Sequence, residues 1–320
     1  MRFITFEDIA GLGIDPARCV DWVGEALAHK GQCVLPKKIS MKLPELPEVF
    51  YNCMPSLVPY LHRGGVKLVT RYPGRKPALD AELLLYDLTT GDCLALMDAD
   101  WITTMRTGAV AAHSIQLLAV PGYERVGFVG LGNTARATLL CLQAVLSGRP
   151  FEVGLLRYKD QAELFEERFS GLPGLSFRVF DDPEKLAHWS EVLVSCATYF
   201  DGDLVSAEVF RPGSLLVPVH TRGFASCDLA FDKVFADDEA HVSGFGYYAQ
   251  FKDKLTEVAS VVQGAAPGRQ SEGERILAYN IGISLHDMVF ASKVYDRCVD
   301  AMPAVGHELS LEKPTGKFWV

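Results

Sequence analysis

The segment Val129-Gly130-Leu131-Gly132-Asn133-Thr134-Ala135 constrains what this chain can fold into more than any other. It places a Gly-x-Gly-x-x-Ala pattern directly after a run of β-branched and aromatic residues and at the start of a helix-spaced stretch. Gly130 lets the chain turn tightly, Gly132 leaves no side chain in the way of a diphosphate, and Ala135 lets helix and strand pack closely. The N–H groups that open the helix, at Asn133 and Thr134 onward, present partial positive charge to phosphates. Such a loop alone is weak evidence, because glycines also serve ordinary turns. Within a strand, turn, helix, strand series it points to dinucleotide binding.

The surrounding pattern supplies that series. Strands are predicted at 125–129, 152–156, 177–180, 192–196 and 214–219, with helices at 134–146 and 161–169. Alternation of this kind implies a parallel, helix-covered sheet, a doubly wound Rossmann-type α/β fold. The first hundred residues read differently. Strands at 65–70, 82–87 and 93–97, the last two joined by the turn Thr89-Thr90-Gly91-Asp92, predict an antiparallel or mixed sheet. A helix is expected over 15–29, and Pro36, Pro44 and Pro47 are expected to break regular structure after it. Residues 100–118 form a long helix with only Gly108 as a weak interior position, stopped by Pro121-Gly122. Helices are also expected over 271–279 and 283–298. At 320 residues two domains are expected: an α+β domain over 1–117 with 288–320, and a dinucleotide-binding domain over 118–287.

Charge and cysteine usage exclude several classes. The formal net charge is −9 with no basic stripe, which disfavours nucleic acid and polybasic membrane docking. No apolar run approaches the roughly 20 residues that span a bilayer, and the opening residues lack a signal-peptide pattern. The eight cysteines are scattered without a Cys-x-x-Cys pair, so no zinc site is expected and a reducing, cytoplasmic setting fits best.

Several side chains carry chemistry. The end of the second Rossmann strand reads Leu155-Leu156-Arg157-Tyr158-Lys159, with no acid for the ribose of NAD; Arg157 and Lys159 favour the 2′-phosphate of NADP, or form a solvated basic turn. Ala197 and Thr198 end another strand, where the nicotinamide is expected to border. Lys67 lies in an apolar strand, either as a buried, partnered cation that meets substrate or as an exposed edge residue. Arg106, amid small and apolar residues, suits bidentate carboxylate binding or a salt bridge to Asp98 or Asp100. Asp237-Asp238-Glu239-x-His241 matches no common metal spacing, and His286-Asp287 is no catalytic couple by adjacency alone.

Taken together, Gly65-Val66-Lys67-Leu68-Val69, Asp87-Leu88-Thr89-Thr90-Gly91, Met97-Asp98-Ala99 and Thr103-Thr104-Met105-Arg106-Thr107-Gly108-Ala109 make the chain resemble the ornithine cyclodeaminase/mu-crystallin family. The glycine loop, Ala197-Thr198, Pro212-Gly213-Ser214 and the segment 282–287 follow at the expected distances, so the resemblance covers about residues 35–300. It implies a substrate-binding domain that forms homodimers through its sheet, and hydride exchange with NAD(P) at the α-carbon of an amino or imino acid. It also implies that Lys67 and Arg106 meet the substrate carboxylate or reacting centre, and that Lys38 binds the same carboxylate. One departure matters. Matching Asp228-Leu229 to the family's acidic-Leu pair puts Arg222 where cyclodeaminases keep an aspartate. An arginine repels the ornithine ammonium and cannot act as a base. The expected reaction is therefore reduction of an α-imino or α-keto acid, or oxidation of the amine, with His220 and Arg222 holding a second acidic group. Ornithine cyclodeamination, and a non-catalytic cofactor-holding role of the mu-crystallin type, are the alternatives.

Overall fold

The structure, a computed structural model, describes residues 1–197, 200, 202–219, 223–310 and 316. Thr198, His220 and Arg222 lie outside the described residues. The strands are β1 (Arg2–Ile4), β2 (Ile39–Leu43), β3 (Leu46–Val58), β4 (Arg63–Arg71), β5 (Leu79–Asp87), β6 (Cys93–Asp98), β7 (Arg125–Val129), β8 (Phe151–Leu156), β9 (Leu175–Phe180), β10 (Val192–Ser195), β11 (Leu215–Pro218), β12 (Lys233–Ala236), β13 (Leu255–Glu257), β14 (Ile276–Tyr279) and β15 (His307–Glu308). The helices are α1 (Phe6–Gly11), α2 (Pro16–Ala28), α3 (Asp100–Leu118), α4 (Asn133–Val145), α5 (Gln161–Phe169), α6 (Pro183–Trp189), the short α7 (Cys227–Ala230), α8 (Glu239–Val242), α9 (Tyr248–Phe251) and α10 (Val258–Val262), and the long α11 (Ser284–Asp300). Among the described residues no helix is long and apolar enough to cross a membrane.

The chain divides into two compact units. The first comprises Met1–Ile14, Gln32–Thr103 and Asp287–Val320, the second Asp15–Gly31 and Thr104–His286. The first holds a mixed sheet in the order β15-β1-β6-β5-β4-β3-β2, antiparallel except for the β1–β6 pair. The Asp87 carboxylate closes the β5–β6 hairpin by accepting the N–H groups of Thr89 and Thr90, at 2.7 and 3.1 Å. Pro47 does not break regular structure: it is the second residue of the long strand β3. Pro55 is tolerated further along because pairing with β2 has already ended at Cys53, so no ladder bond is lost on that side. One sheet face is apolar and buried, with Leu83, Leu85, Ala95 and Met97. It carries α11, close enough that a Cβ at Gly65 would stand 3.1 Å from the Met288 Sδ.

The first residue of α3 carries a shifted titration. Burial, then the like charges of Asp98 and Asp80, push the Asp100 carboxyl up to about 6. A carboxyl whose folded pKa exceeds its unfolded value near 3.9 binds more protons when folded. Its contribution is fully present below about pH 4 and is lost as pH rises through 6. Asp100→Asn should therefore raise Tm at pH 7.5, with the gain vanishing near pH 4. Thermal melts at both values check this; an equal gain at both would show that charge is not the cause.

The second unit is an all-parallel sheet in the order β13-β12-β14-β11-β10-β7-β8-β9. From β7 the chain winds outward through β8 and β9, then returns to the other side of β7 at β10, so the strand order reverses at the β7–β10 pair. That reversal opens the crevice where such sheets bind ligands. The helix expected over 271–279 is instead strand β14 at its end, and the reason is legible. Ile276-Leu277-Ala278-Tyr279 is buried at every position, too short for a helix and apolar on both faces, as a central parallel strand must be.

Residues 15–31 and 104–117 belong to this second unit, where the sequence had placed them in the first. The cause is packing. Gly108 of α3 sits so close to α4 that a Cβ there would lie 2.5 Å from the Ala137 carbonyl carbon. At the end of α2, the Leu27 carbonyl accepts from the Gln263 side chain at 3.0 Å, and Lys30 reaches the Asp237 carbonyl at 2.9 Å.

Candidate functional site

In the second unit the glycine loop joins β7 to α4. Gly130 has φ +76, and a Cβ there would lie 2.6 Å from the Ala197 nitrogen. The loop thus runs directly against the end of β10, and only glycine fits. Gly132 differs. It is the N-cap of α4 in extended conformation, no side chain caps the helix, and no described atom lies within 4 Å of where its Cβ would be. The first N–H groups of a helix have no partner within it. Here they belong to Asn133, Thr134 and Ala135, with Asn133 exposed and Ala135 fully buried against the strand. An open, uncapped helix start with room above it is the geometry a diphosphate requires. Ala197, one of the residues expected at the nicotinamide, stands against this loop; Thr198 lies outside the described residues.

Arg157 and Lys159 follow β8 as expected, but Arg157 is already engaged. Its Nε donates to the Asp181 carboxylate at 2.6 Å and its Nη1 to Glu163. Lys159 turns through φ +54 and holds its ammonium 5.2 Å from the centre of the Tyr158 ring.

Arg106 lies on α3, 7% exposed. Gly282 backs it, with φ +89; a Cβ there would lie 2.6 Å from the Arg106 Nη1. The Gly282 N–H donates to the Asp237 carboxylate at 2.5 Å. Lys30 in turn bonds the Asp237 carbonyl and the carboxylates of Asp238 and Glu257, at 2.9, 2.9 and 2.8 Å. The acidic run at 237–239 thus works through hydrogen bonds: it anchors the glycine that makes room for the guanidinium.

In the first unit Lys67 is fully buried on the central strand β4, and its ammonium meets the Asp287 carboxylate at 2.5 Å, also fully buried. The edge-strand alternative is therefore excluded. Asp287 falls in the first turn of α11, where a negative charge is favoured. Removing two charges from water is costly, and a fold keeps such a pair only with tight geometry. Lys38 is half-buried just ahead of β2. His220 and Arg222 lie outside the described residues. Sequence reasoning missed Asp287, which gains meaning through Lys67, 220 positions away, and Asp237. The only local hint was that Asp287 ends the segment 282–287.

The strand reversal and the seat at Gly132 define the class: a two-unit protein built on a Rossmann-type dinucleotide fold. More narrowly, the chain belongs to the ornithine cyclodeaminase/mu-crystallin family, whose model matches residues 13–302. The Delta(1)-pyrroline-2-carboxylate reductase of Bacillus cereus is 23% identical over 270 residues, covering 77% of this chain and 81% of that protein. The alanine dehydrogenase of Archaeoglobus fulgidus is 26% identical over 319 residues, covering 92% and 94%. The structure of Thermococcus litoralis Delta(1)-pyrroline-2-carboxylate reductase in complex with NADH and L-proline matches with a TM-score of 0.85 at 22% identity, covering 97% of this chain and all of that one, and shares the fold.

Proposed function

We infer that this chain is an NAD(P)-dependent oxidoreductase acting on an α-imino or α-keto acid, or on the corresponding amino acid. The observation that carries the reading is the open helix start at Gly132, where no side chain caps α4 and a Cβ would meet no described atom within 4 Å. Relatives named for imino-acid reduction and alanine oxidation, and a similar fold holding NADH and L-proline, support it. When bound, the nicotinamide supplies or takes up the hydride at the substrate α-carbon. The chain's residues do the rest. Asn133, Thr134 and Ala135 hold the diphosphate through their N–H groups. Lys67 and Lys38 in the first unit, and Arg106 in the second, are each assigned a charge-assisted bond to substrate carboxylate, worth about 1.5–3 kcal/mol. Asp287 takes one of the three donors of the Lys67 ammonium and fixes where the others point. Lys67, or a water it orients, delivers the proton that accompanies hydride addition to a C=N or C=O group. The pairing of Arg157 leaves the case for NADP resting on Lys159 alone.

A homodimer is part of the proposal. Ile39, Met41, Leu43 and Leu46 leave an apolar strip on β2 and β3, 56, 48, 48 and 49% exposed, which a second copy of the chain would cover.

The test is an absorbance assay of NADH and NADPH against cyclic imino acids and keto acids with or without ammonia, with sedimentation analysis of the same sample. The expected result is reduced-nucleotide consumption with an imino or keto acid by a dimeric protein. L-Ornithine with catalytic NAD is the opposing arm: release of proline and ammonia there, with no imine reduction, would replace this reading with cyclodeamination. Nucleotide binding without turnover across the panel would favour a cofactor-holding role.

A further inference from the structure

In a Rossmann unit the choice between NAD and NADP is normally made at the end of the second strand. An acid there bonds the ribose hydroxyls and repels a 2′-phosphate. In this chain β8 ends at Leu156 and is followed by Arg157, so the acid is missing from its usual place. The fold brings one in from the neighbouring strand. Asp181 directly follows β9, which pairs in parallel with β8 up to Leu156 and Phe180. The Arg157 N–H donates to the Phe180 carbonyl at 2.8 Å, so the two strand ends are held level. The Arg157 side chain then spans to Asp181 at 2.6 Å and, on its other side, to Glu163 in the first turn of α5.

Two carboxylates thus oppose one guanidinium, and the cluster carries a net negative charge. The acids are also its more accessible members, with Asp181 79% and Glu163 54% exposed against 42% for Arg157. Lys159 lies over the Tyr158 ring. A 2′-phosphate, bearing roughly two negative charges near neutral pH, would meet a surplus of like charge here. Ribose hydroxyls would meet an accessible carboxylate acceptor.

We propose that Asp181, held by Arg157 and reinforced by Glu163, is the cofactor-selecting residue: it accepts the adenosine ribose hydroxyls of NAD(H) and excludes the 2′-phosphate of NADP(H). The proposal rests on the reading that this unit binds a nicotinamide dinucleotide. It assigns the selecting acid to the third strand instead of the second.

The experiment is fluorescence titration of the full chain with NADH and NADPH at low salt. The wild type should bind NADH about tenfold or more tightly than NADPH, and added salt should narrow the gap by screening. Asp181→Asn should shrink the ratio by about tenfold or more, and Glu163→Gln should shift it less in the same direction. Exposed ion pairs contribute little to stability, so these variants should stay folded, and circular dichroism verifies that. Tighter binding of NADPH by the wild type, or a ratio within about twofold of wild type in Asp181→Asn, overturns the proposal while leaving dinucleotide binding intact. Failure of both nucleotides to bind overturns the proposal together with the reading beneath it.

Discussion

Lys67→Met should lose at least about a thousandfold in kcat/KM, some 4 kcal/mol of transition-state stabilisation, while its affinity for the reduced nucleotide stays within about twofold of wild type. The split follows from placement. Lys67 and Asp287 are both in the first unit, and the glycine loop proposed to hold the diphosphate belongs to the second. A complication must be separated from catalysis. Lys67→Met leaves Asp287 fully buried without its ammonium partner, and breaking a buried pair costs about 3–5 kcal/mol. Some loss of activity would then reflect unfolding alone. The double variant Lys67→Met/Asp287→Leu removes both charges, and replacement of a buried pair by apolar groups is often neutral or stabilising. It should recover most of the lost melting temperature and none of the turnover. Recovery of turnover in the double variant would make the pair a structural staple and remove Lys67 from the reaction. Asp287→Asn completes the series. It keeps the shape and one hydrogen bond but not the charge, and should lower kcat more than it raises KM if Asp287 acts by orienting Lys67.

How far the sequence shows this site depends on the range of the interaction concerned. The glycine loop is legible because its meaning is local: Gly130, Gly132 and Ala135 do their work within one turn of chain. Lys67 is half legible. An isolated cation in an apolar strand signals a buried partner, but nothing nearby names Asp287. Asp181 and Glu163 were invisible for a sharper reason. The rule for a selecting acid concerns the end of the second strand, whereas Asp181 reaches Arg157 only through the pairing of the second strand with the third. The helices at 15–31 and 104–117 were assigned by order along the chain, yet Gly108 against Ala137 and Lys30 against Asp237 tie them to the dinucleotide unit. Strand β14 reads as helix in the sequence because four buried apolar residues carry no periodicity that separates strand from helix.

Gly132→Asp should leave the protein at least as stable as wild type and nearly unable to bind the dinucleotide. Most glycine substitutions in such a loop cannot separate these effects. Gly130→Ala, for instance, forces a side chain to φ +76 and to 2.6 Å from the Ala197 nitrogen, so loss of binding there would report only a broken fold. Gly132 has φ −77 and ψ −166, which any residue adopts, and no described neighbour within 4 Å of the new Cβ. It is also the N-cap of α4, where Asp is preferred to Gly by a few tenths of a kcal/mol. The helix dipole adds about 0.3–1 kcal/mol for a negative charge at that end. The folded state therefore has reason to welcome the carboxylate. A diphosphate has none, because the new group occupies its seat, takes its N–H donors and repels its charge. We expect Kd for the reduced nucleotide to rise about a hundredfold, close to 2.8 kcal/mol, with Tm unchanged or higher. Gly132→Ser caps the same N–H groups without charge and should fall between the two. The difference between Ser and Asp should shrink as salt is added, since only the charge contribution is screened. Wild-type affinity in Gly132→Asp would mean that the start of α4 does not hold the diphosphate, and the oxidoreductase reading would lose its main support.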